Sequence, residues 1–394
     1  MSATIVSPRL MLVGGGSVAE LAGVLQKFGL SRPLVVTDPY MVSSGLVRRC
    51  LDPLEAAGLH PAVFSDTVPE PTDVVIDAGA ALLLGGHFDC LVGFGGGSPI
   101  DTAKAMAILA QGRASGAGQH MRDFKVPAQA DMAALPVIAI PTTAGTGSEA
   151  TRFTVITDTE RGEKMLIAGL AALPLAAVVD YELTFTVPKR ITADTGVDSL
   201  THALEAYVSR RANPYSDTQA LAAMALIGAN IRAAYADGAN APAREAMMLG
   251  AMQAGIAFTN SSVALVHGMS RPIGAAFHVP HGLSNAMLLP AITRFGLEAA
   301  QARYAAASRC IGFAGDGDAD AVAAEKLADG LAQLNHDLDV PTPGGFGIDK
   351  AAWDARLPVM AQQALASGSP GNNPRVPTAD EIVALYQVVW SGNR

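Results

Sequence analysis

The sequence predicts an α/β domain over residues 1–186 followed by an all-helical domain over residues 187–394. Three observations predict this. Short apolar runs alternate with helix-like stretches through the first part of the chain. Those runs are continuously apolar rather than alternating, which suits parallel strands covered on both faces. From Pro188 onward the chain is rich in Ala, Leu and Met at helical spacing, and strand signals almost vanish. A chain of 394 residues also exceeds what one core normally holds.

Taken in order, Leu34–Thr37, Ala62–Phe64, Cys90–Phe94 and Leu135–Ile140 read as buried strands. Amphipathic stretches at Val42–Ala57 and Thr72–Gly85 read as the helices between them. Phe153–Asp158, Met165–Ala168 and Ala176–Val179 read as strands near a sheet edge. Pro188 opens a long helix, with Thr192 or Thr195 as capping residues. Ser367–Pro377, with Pro370, Pro374 and Pro377, reads as a surface loop before a last helix.

Composition narrows the function classes. Half the residues are apolar and 16% are charged, a globular balance. A net charge of −9 and scattered Lys and Arg exclude nucleic acid and anionic membrane as partners. Cys50, Cys90 and Cys310 lie far apart without CxxC spacing and read as free thiols in a reducing compartment. The N-terminus lacks a signal-peptide pattern, and the apolar run Met165–Val179 is too short to span a bilayer, so the expected location is cytoplasmic. Large, weakly charged domains of this kind often bury surface between subunits, so a homodimer or higher homo-oligomer is expected.

Gly95-Gly96-Gly97-Ser98 follows a buried strand and leads into an apolar-periodic helix that includes Asp101. Such a turn lets backbone N–H groups approach an anion, and the helix N-terminus adds partial positive charge. The spacing is not the GxGxxG fingerprint, and a plain tight turn is the alternative. An identical tetrapeptide, Gly14–Ser17, also follows an apolar run. The copy at 95–98 is favoured because its strand is more hydrophobic and Pro99 suits a first helical turn. Asp38, ending Leu34–Thr37, can accept from a ribose or cap a helix before Pro39. Pro141–Glu149 forms a second small, hydroxyl-rich turn carrying Thr142 and Thr143.

Asp198 and His202 stand four apart in a helical stretch, so both face one side. Asp194, four residues earlier, competes for the same part, and spacing does not choose between them. His267, His278 and His281 fall within fifteen residues of a chain holding 8 histidines. Imidazoles with one carboxylate suit Fe2+ or Zn2+ and leave a position for an oxygen ligand.

At these residues the chain resembles the iron-containing (group III) alcohol dehydrogenase family. The resemblance rests on GGGSPIDTAK at 95–104, PTTAGTGSE at 141–149, GVDSLTHALEAYVS at 196–209 and LVHGMSRPIGAAFHVPHGLSNAMLLP at 265–290, and it covers nearly the whole chain. It implies the two-domain fold shared with dehydroquinate synthase: an N-terminal dinucleotide-binding domain over 1–186 and a helical metal-binding domain over 187–394. It assigns the metal, Fe2+ or Zn2+, to Asp198, His202, His267 and His281. It places NAD at Asp38, Gly96, Gly97, Ser98, Asp101, Thr142, Thr143, Thr151 and Lys164. The implied activity is hydride transfer between NAD(H) and a small primary alcohol or its aldehyde, a short diol or a 4-hydroxybutyrate-like hydroxy acid among them. Two departures stand out: Glu70 occupies the place of an asparagine in many members, and Arg271 the place of a histidine with a proton-transfer role. Arg271 cannot act as a base, so His278, or ribose hydroxyls and water, take over that role. A guanidinium at 271 can instead hold a substrate carboxylate. The rival reading is a lyase or cyclase of the dehydroquinate synthase type that uses NAD transiently.

Overall fold

The computed structural model describes residues 3–392. The chain forms two compact units, residues 6–186 and residues 187–392, with residues 3–5 joining the second.

The first unit is built on six parallel strands: β1 (Leu10–Val13), β2 (Pro33–Val36), β3 (Ala62–Phe64), β4 (Cys90–Gly95), β5 (Val137–Pro141) and, after the antiparallel pair β6 (Phe153–Asp158) and β7 (Glu163–Ala168), β8 (Ala176–Val179). Their order in the sheet is β1-β8-β5-β4-β2-β3. Every residue of β2, β4, β5 and β8 is buried, as expected of strands covered on both faces. Successive side chains therefore serve different cores. Leu34 and Val36 pack with Ile76 and Met106 on one face, whereas Val35 packs with Leu25 and Leu54 on the other. The covering helices are α1 (Leu21–Lys27), α2 (Pro39–Ser43), α3 (Arg48–Ala56), α4 (Asp73–Gly85) and α5 (Gly97–Ser115).

The strand order creates a switch point. The chain leaves β2 toward β3 on one side and leaves β4 toward β5 on the other. The crevice beyond the carboxyl ends of β2 and β4 is where sheets of this kind bind ligands. Asp38 follows β2, and Gly96–Ser98 follow β4.

Three expectations for this unit need correction. β8 is not at an edge but lies between β1 and β5; its short length looked marginal, and its neighbours are set by crossovers remote in sequence. Val42–Ala57 is not one helix. It breaks into α2 and α3, because Gly45 adopts φ 78°. Met165–Ala168 is the end of a longer strand that forms a separate two-stranded sheet with β6.

The second unit is all-helical among the described residues: α6 (Lys189–Val208), α7 (Pro214–Ala236), α8 (Ala241–Thr259), α9 (Leu265–Phe277), α10 (His281–Gly296), α11 (Gln301–Ile311), α12 (Asp320–Asp337), α13 (Pro343–Phe346), α14 (Lys350–Ala366) and α15 (Ala379–Trp390). Asn213 caps α7, and the Thr378/Glu381 pair caps α15 reciprocally. Thr192 and Thr195 are not caps but interior residues of α6, whose N-cap is Pro188. The stretch after α14 is more than a surface loop, since Ser369, Pro370 and Asn373 are buried. None of the described helices is long and apolar enough to cross a membrane.

Candidate metal centre

α6 presents Asp198 and His202 one turn apart on a face buried in the helical unit. His267 lies in the first turn of α9, and His281 is the first residue of α10. Gly282 allows that helix to start where it does. A Cβ there would stand 2.4 Å from the Asp194 carbonyl oxygen, so any larger residue would push His281 away from α6.

One ligand atom from each of Asp198, His202, His267 and His281 lies within 4.8 Å of the others. Asp198 Oδ1 is 3.9 Å from His202 Nε2, 3.6 Å from His267 Nε2 and 3.8 Å from His281 Nε2. Metal–ligand bonds of about 2.0–2.2 Å at the tetrahedral angle hold donor atoms about 3.3–3.6 Å apart. The observed separations are at that limit or a few tenths beyond it. The rings are also stacked in place, His202 between Phe258 at 4.4 Å and His267 at 4.5 Å between centroids.

Asn285 joins members of the donor set. Asn285 Nδ2 donates to Asp198 Oδ1 at 2.6 Å and stands 3.2 Å from Nε2 of both His267 and His281. One carboxylate and three imidazoles within 4.8 Å of one another are the oxygen and nitrogen ligands that Fe2+ or Zn2+ takes, so the residues fit a metal ion. Electrostatics agree. Burial alone would raise the Asp198 carboxyl, but the imidazoles, His202 and His281 foremost, hold it well below the usual carboxylate range. Burial opposes a charged His267, yet Glu205 and Asp198 push it up to about 9. The pocket draws positive charge.

Glu205 and Asn285 escaped the sequence reading. Glu205 Oε2 accepts from the His267 ring at 2.6 Å and from the Ala264 N–H at 2.8 Å, while Oε1 accepts from Val266 N–H at 2.6 Å. It thus fixes both the ring and the start of α9. A signal existed: Glu205 continues the Asp198–His202 stripe at the next helical step, and Asn285 stands four residues after His281.

The tie between Asp194 and Asp198 has a physical answer. Arg190 Nε and Nη2 bond to Asp194 Oδ1 at 2.9 and 2.6 Å, drawing that carboxylate away from the histidines. His278 does not join the donor set. It is an exposed residue at the end of α9 with φ 56°. Arg271, one turn beyond His267, is partly buried and donates from Nη1 to Ser369 Oγ at 3.1 Å.

In the α/β unit, the two identical glycine turns differ in what their N–H groups face. At Gly14–Ser17 an internal anion is already seated: Asp180 accepts from Gly16 N–H at 3.0 Å and Val18 N–H at 3.2 Å. At 95–98 the turn opens the 19-residue α5, whose N-cap, Gly96, has no side chain to close it. A Cβ on Gly97 would stand 2.7 Å from Thr146 Cγ2, so the close approach of the two turns needs glycine. Thr142 donates its N–H to Gly95 O at 2.8 Å, and its buried hydroxyl has no partner among the described residues. These features fit a dinucleotide.

The other nucleotide candidates are placed as follows. Thr143 lies beside Gly96. Asp38 caps α2 through Oδ1, accepting from Met41 N–H at 2.9 Å. Lys164 is ion-paired to Glu70. Asp101 and Thr151 are tied instead into a network around buried Lys104: Asp101 Oδ1 accepts from Ser148 Oγ at 2.6 Å and Oδ2 from Val155 N–H at 3.0 Å, while Thr151 O accepts from Lys104 Nζ at 3.0 Å.

Comparison with known proteins agrees with both halves. Residues 8–181 match the model of the iron-containing alcohol dehydrogenases, and residues 192–390 match the C-terminal model of the Fe-containing alcohol dehydrogenase family. The chain is 34% identical over 380 residues to an NAD-dependent methanol dehydrogenase of Bacillus methanolicus, covering 96% of this chain and 98% of that one. The solved structure of a 1,3-propanediol oxidoreductase superposes with a TM-score of 0.93 at 33% identity, covering 99% of this chain and all of the other. A sulfoacetaldehyde reductase from Bifidobacterium kashiwanohense, solved in complex with NAD+, superposes at 0.87 with 29% identity, covering 99% of each chain. The chain therefore belongs to the iron-containing alcohol dehydrogenase family and is a metal- and NAD-dependent alcohol/aldehyde oxidoreductase.

Proposed function

We propose that Asp198, His202, His267 and His281 hold Fe2+ or Zn2+, and that the protein interconverts a small primary alcohol and its aldehyde by hydride transfer with NAD(H). The observation that carries this is the convergence of one carboxylate and three imidazoles on a common point. A metal bound there supplies Lewis acidity toward the substrate oxygen.

The chain's own residues do the rest. Glu205 accepts the Nδ1–H of His267, so that with a metal bound the ring would present Nε2 to it. Gly96–Ser98, at the N-terminus of α5, meet the pyrophosphate, and Thr142 and Thr143 add hydroxyls from the neighbouring turn. The free oxygen of Asp38 accepts from the adenine-side ribose and disfavours a 2′-phosphate, so NAD is used over NADP. Lys164 is held for the cofactor by Glu70. Asp101 and Thr151 act through Lys104, as a brace beneath that turn. His278 is exposed, so the substrate proton leaves through ribose hydroxyls and water.

The relatives' names span methanol, 1,3-propanediol and sulfoacetaldehyde, so membership defines the reaction and leaves the substrate open. Short diols and 4-hydroxybutyrate-like hydroxy acids are the classes carried forward. The test is a panel of aldehydes with NADH on protein reconstituted with Fe2+ or Zn2+. Net, metal-dependent NADH oxidation is expected. Turnover of a polyanionic sugar-acid phosphate with no net change in NADH would instead support the cyclase-type rival.

A further inference from the structure

Arginines buried in this helical unit show how the fold satisfies a guanidinium that has only a structural task. Arg244 donates to the Gly238 carbonyl at 2.9 Å, to Thr192 Oγ1 at 2.9 Å and to the Val187 carbonyl at 3.4 Å. Arg303 reaches the Tyr207 carbonyl at 2.8 Å and Asp217 at 2.5 Å. Arg271 has no such set. Its one hydrogen bond among the described residues is to the Ser369 hydroxyl, and no carboxylate there forms an ion pair with it. Glu205 is close enough to be felt, but its oxygens are occupied by His267 and two backbone N–H groups. A guanidinium has five N–H donors, and those of the half-buried Arg271 that do not reach Ser369 are left to solvent or to a ligand.

Its position is defined. Arg271 stands one turn after His267 on α9, so the two side chains share a face. Helical side chains lean toward the N-terminus, here toward His267. Ser369 is held in place by its neighbour: Pro370 packs so closely on Gly268 that a Cβ there would come within 2.8 Å. Arg271 is thus fixed at one end by a buried hydroxyl, one helical turn from the metal ligand His267.

We propose that Arg271 binds the anionic end of the substrate, so that the preferred aldehyde is a short ω-oxo carboxylate or sulfonate whose carbonyl lies at the metal. This rests on the alcohol/aldehyde reading above and names its substrate class. A carboxylate matches the guanidinium fork with two parallel hydrogen bonds, and charge at one end and carbonyl at the other fix the chain between two points.

The experiment compares 4-oxobutanoate with butanal, which have equal chain length, on wild-type holoenzyme and on Arg271→Gln and Arg271→Lys, with metal content measured in each. Binding of the unreactive dicarboxylate succinate is followed in parallel by calorimetry. We expect Arg271→Gln to lower the preference for 4-oxobutanoate over butanal, as a ratio of kcat/KM, about 10- to 100-fold, chiefly through KM. Arg271→Lys should recover part of it, and succinate should bind wild type and not Arg271→Gln. Equal losses on both aldehydes, or succinate binding indifferent to residue 271, would overturn the proposal. Wild-type holoenzyme that reduces neither aldehyde, nor any other, would instead overturn the alcohol/aldehyde reading, while the succinate measurement still decides the anion site.

Discussion

Two buried polar clusters, one in each unit, illustrate opposite uses of the same groups. In the α/β unit, Lys104 Nζ is surrounded by oxygen: Ser148 O at 2.6 Å, Ser148 Oγ at 2.9 Å, Phe153 O at 2.9 Å, Thr151 O at 3.0 Å and Thr151 Oγ1 at 3.3 Å. Its cation is part of the chain, and five oxygens from three residues gather around it. In the helical unit, Asp198 Oδ1 faces three ring nitrogens at 3.6–3.9 Å, a spacing that suits a shared metal ion. The first cluster is closed and organises a turn. The second is complete only with a cation from outside. Burial does not separate the two; what does is whether the chain supplies the cation, as Lys104 does in the first cluster.

The largest effect should come from breaking the second cluster. His202→Ala or His267→Ala removes a donor, and bound metal, measured by elemental analysis, should vanish together with NADH-linked turnover. Metal and activity that both survive would show that the ion is held elsewhere. Breaking the first cluster should do something different in kind. Lys104→Met leaves buried carboxylates uncompensated and should cost about 3–5 kcal/mol of stability in denaturant unfolding. The metal content of the folded protein should not change. A variant that keeps its stability but loses metal would erase the distinction between the clusters.

The closed cluster also has a pH signature. Burial pushes the Glu149 carboxyl up to about 7, against the pull of its own backbone N–H and of Lys104. A carboxyl that ionises less readily when folded favours the folded state fully below its unfolded value, near 4.5, and loses that contribution as pH rises through 7. Glu149→Gln cannot ionise. Its stability should match wild type near pH 4.5 and exceed it above pH 7 by about 3 kcal/mol, the free-energy equivalent of that rise in the carboxyl's pKa. A difference that is flat with pH would mean that the carboxylate is compensated in place.

The same contrast governs what could be read from the chain. The strands of the first unit were legible because parallel strands are apolar throughout, yet β8 was misplaced because its neighbours depend on crossovers. The identical tetrapeptides at 14–17 and 95–98 could be ranked but not explained, since Asp180, which occupies the first, lies more than 160 residues away. Asp198 and Asp194 were equal by spacing because Arg190 is four residues from Asp194, a pairing indistinguishable in sequence from any surface ion pair. Local periodicity reports which side chains share a face. It does not report which of them are already partnered.

Glu205 tests that last point with the smallest change. It touches a histidine of the donor set from behind, and it also holds two N–H groups at the start of α9. Glu205→Gln keeps the length and one acceptor but removes the charge that makes His267 basic. If Glu205 merely ties α9 to α6, Gln should weaken the fold and leave the affinity of the folded protein for metal intact. If it orients and polarises His267, metal affinity by chelator competition should fall about 10- to 100-fold. Melting of the metal-free protein should move far less. Glu205→Asp keeps the charge but shortens the reach, and should recover part of the affinity if charge dominates and none if position does. The second outcome would make Glu205 a spacer that sets where the His267 ring stands.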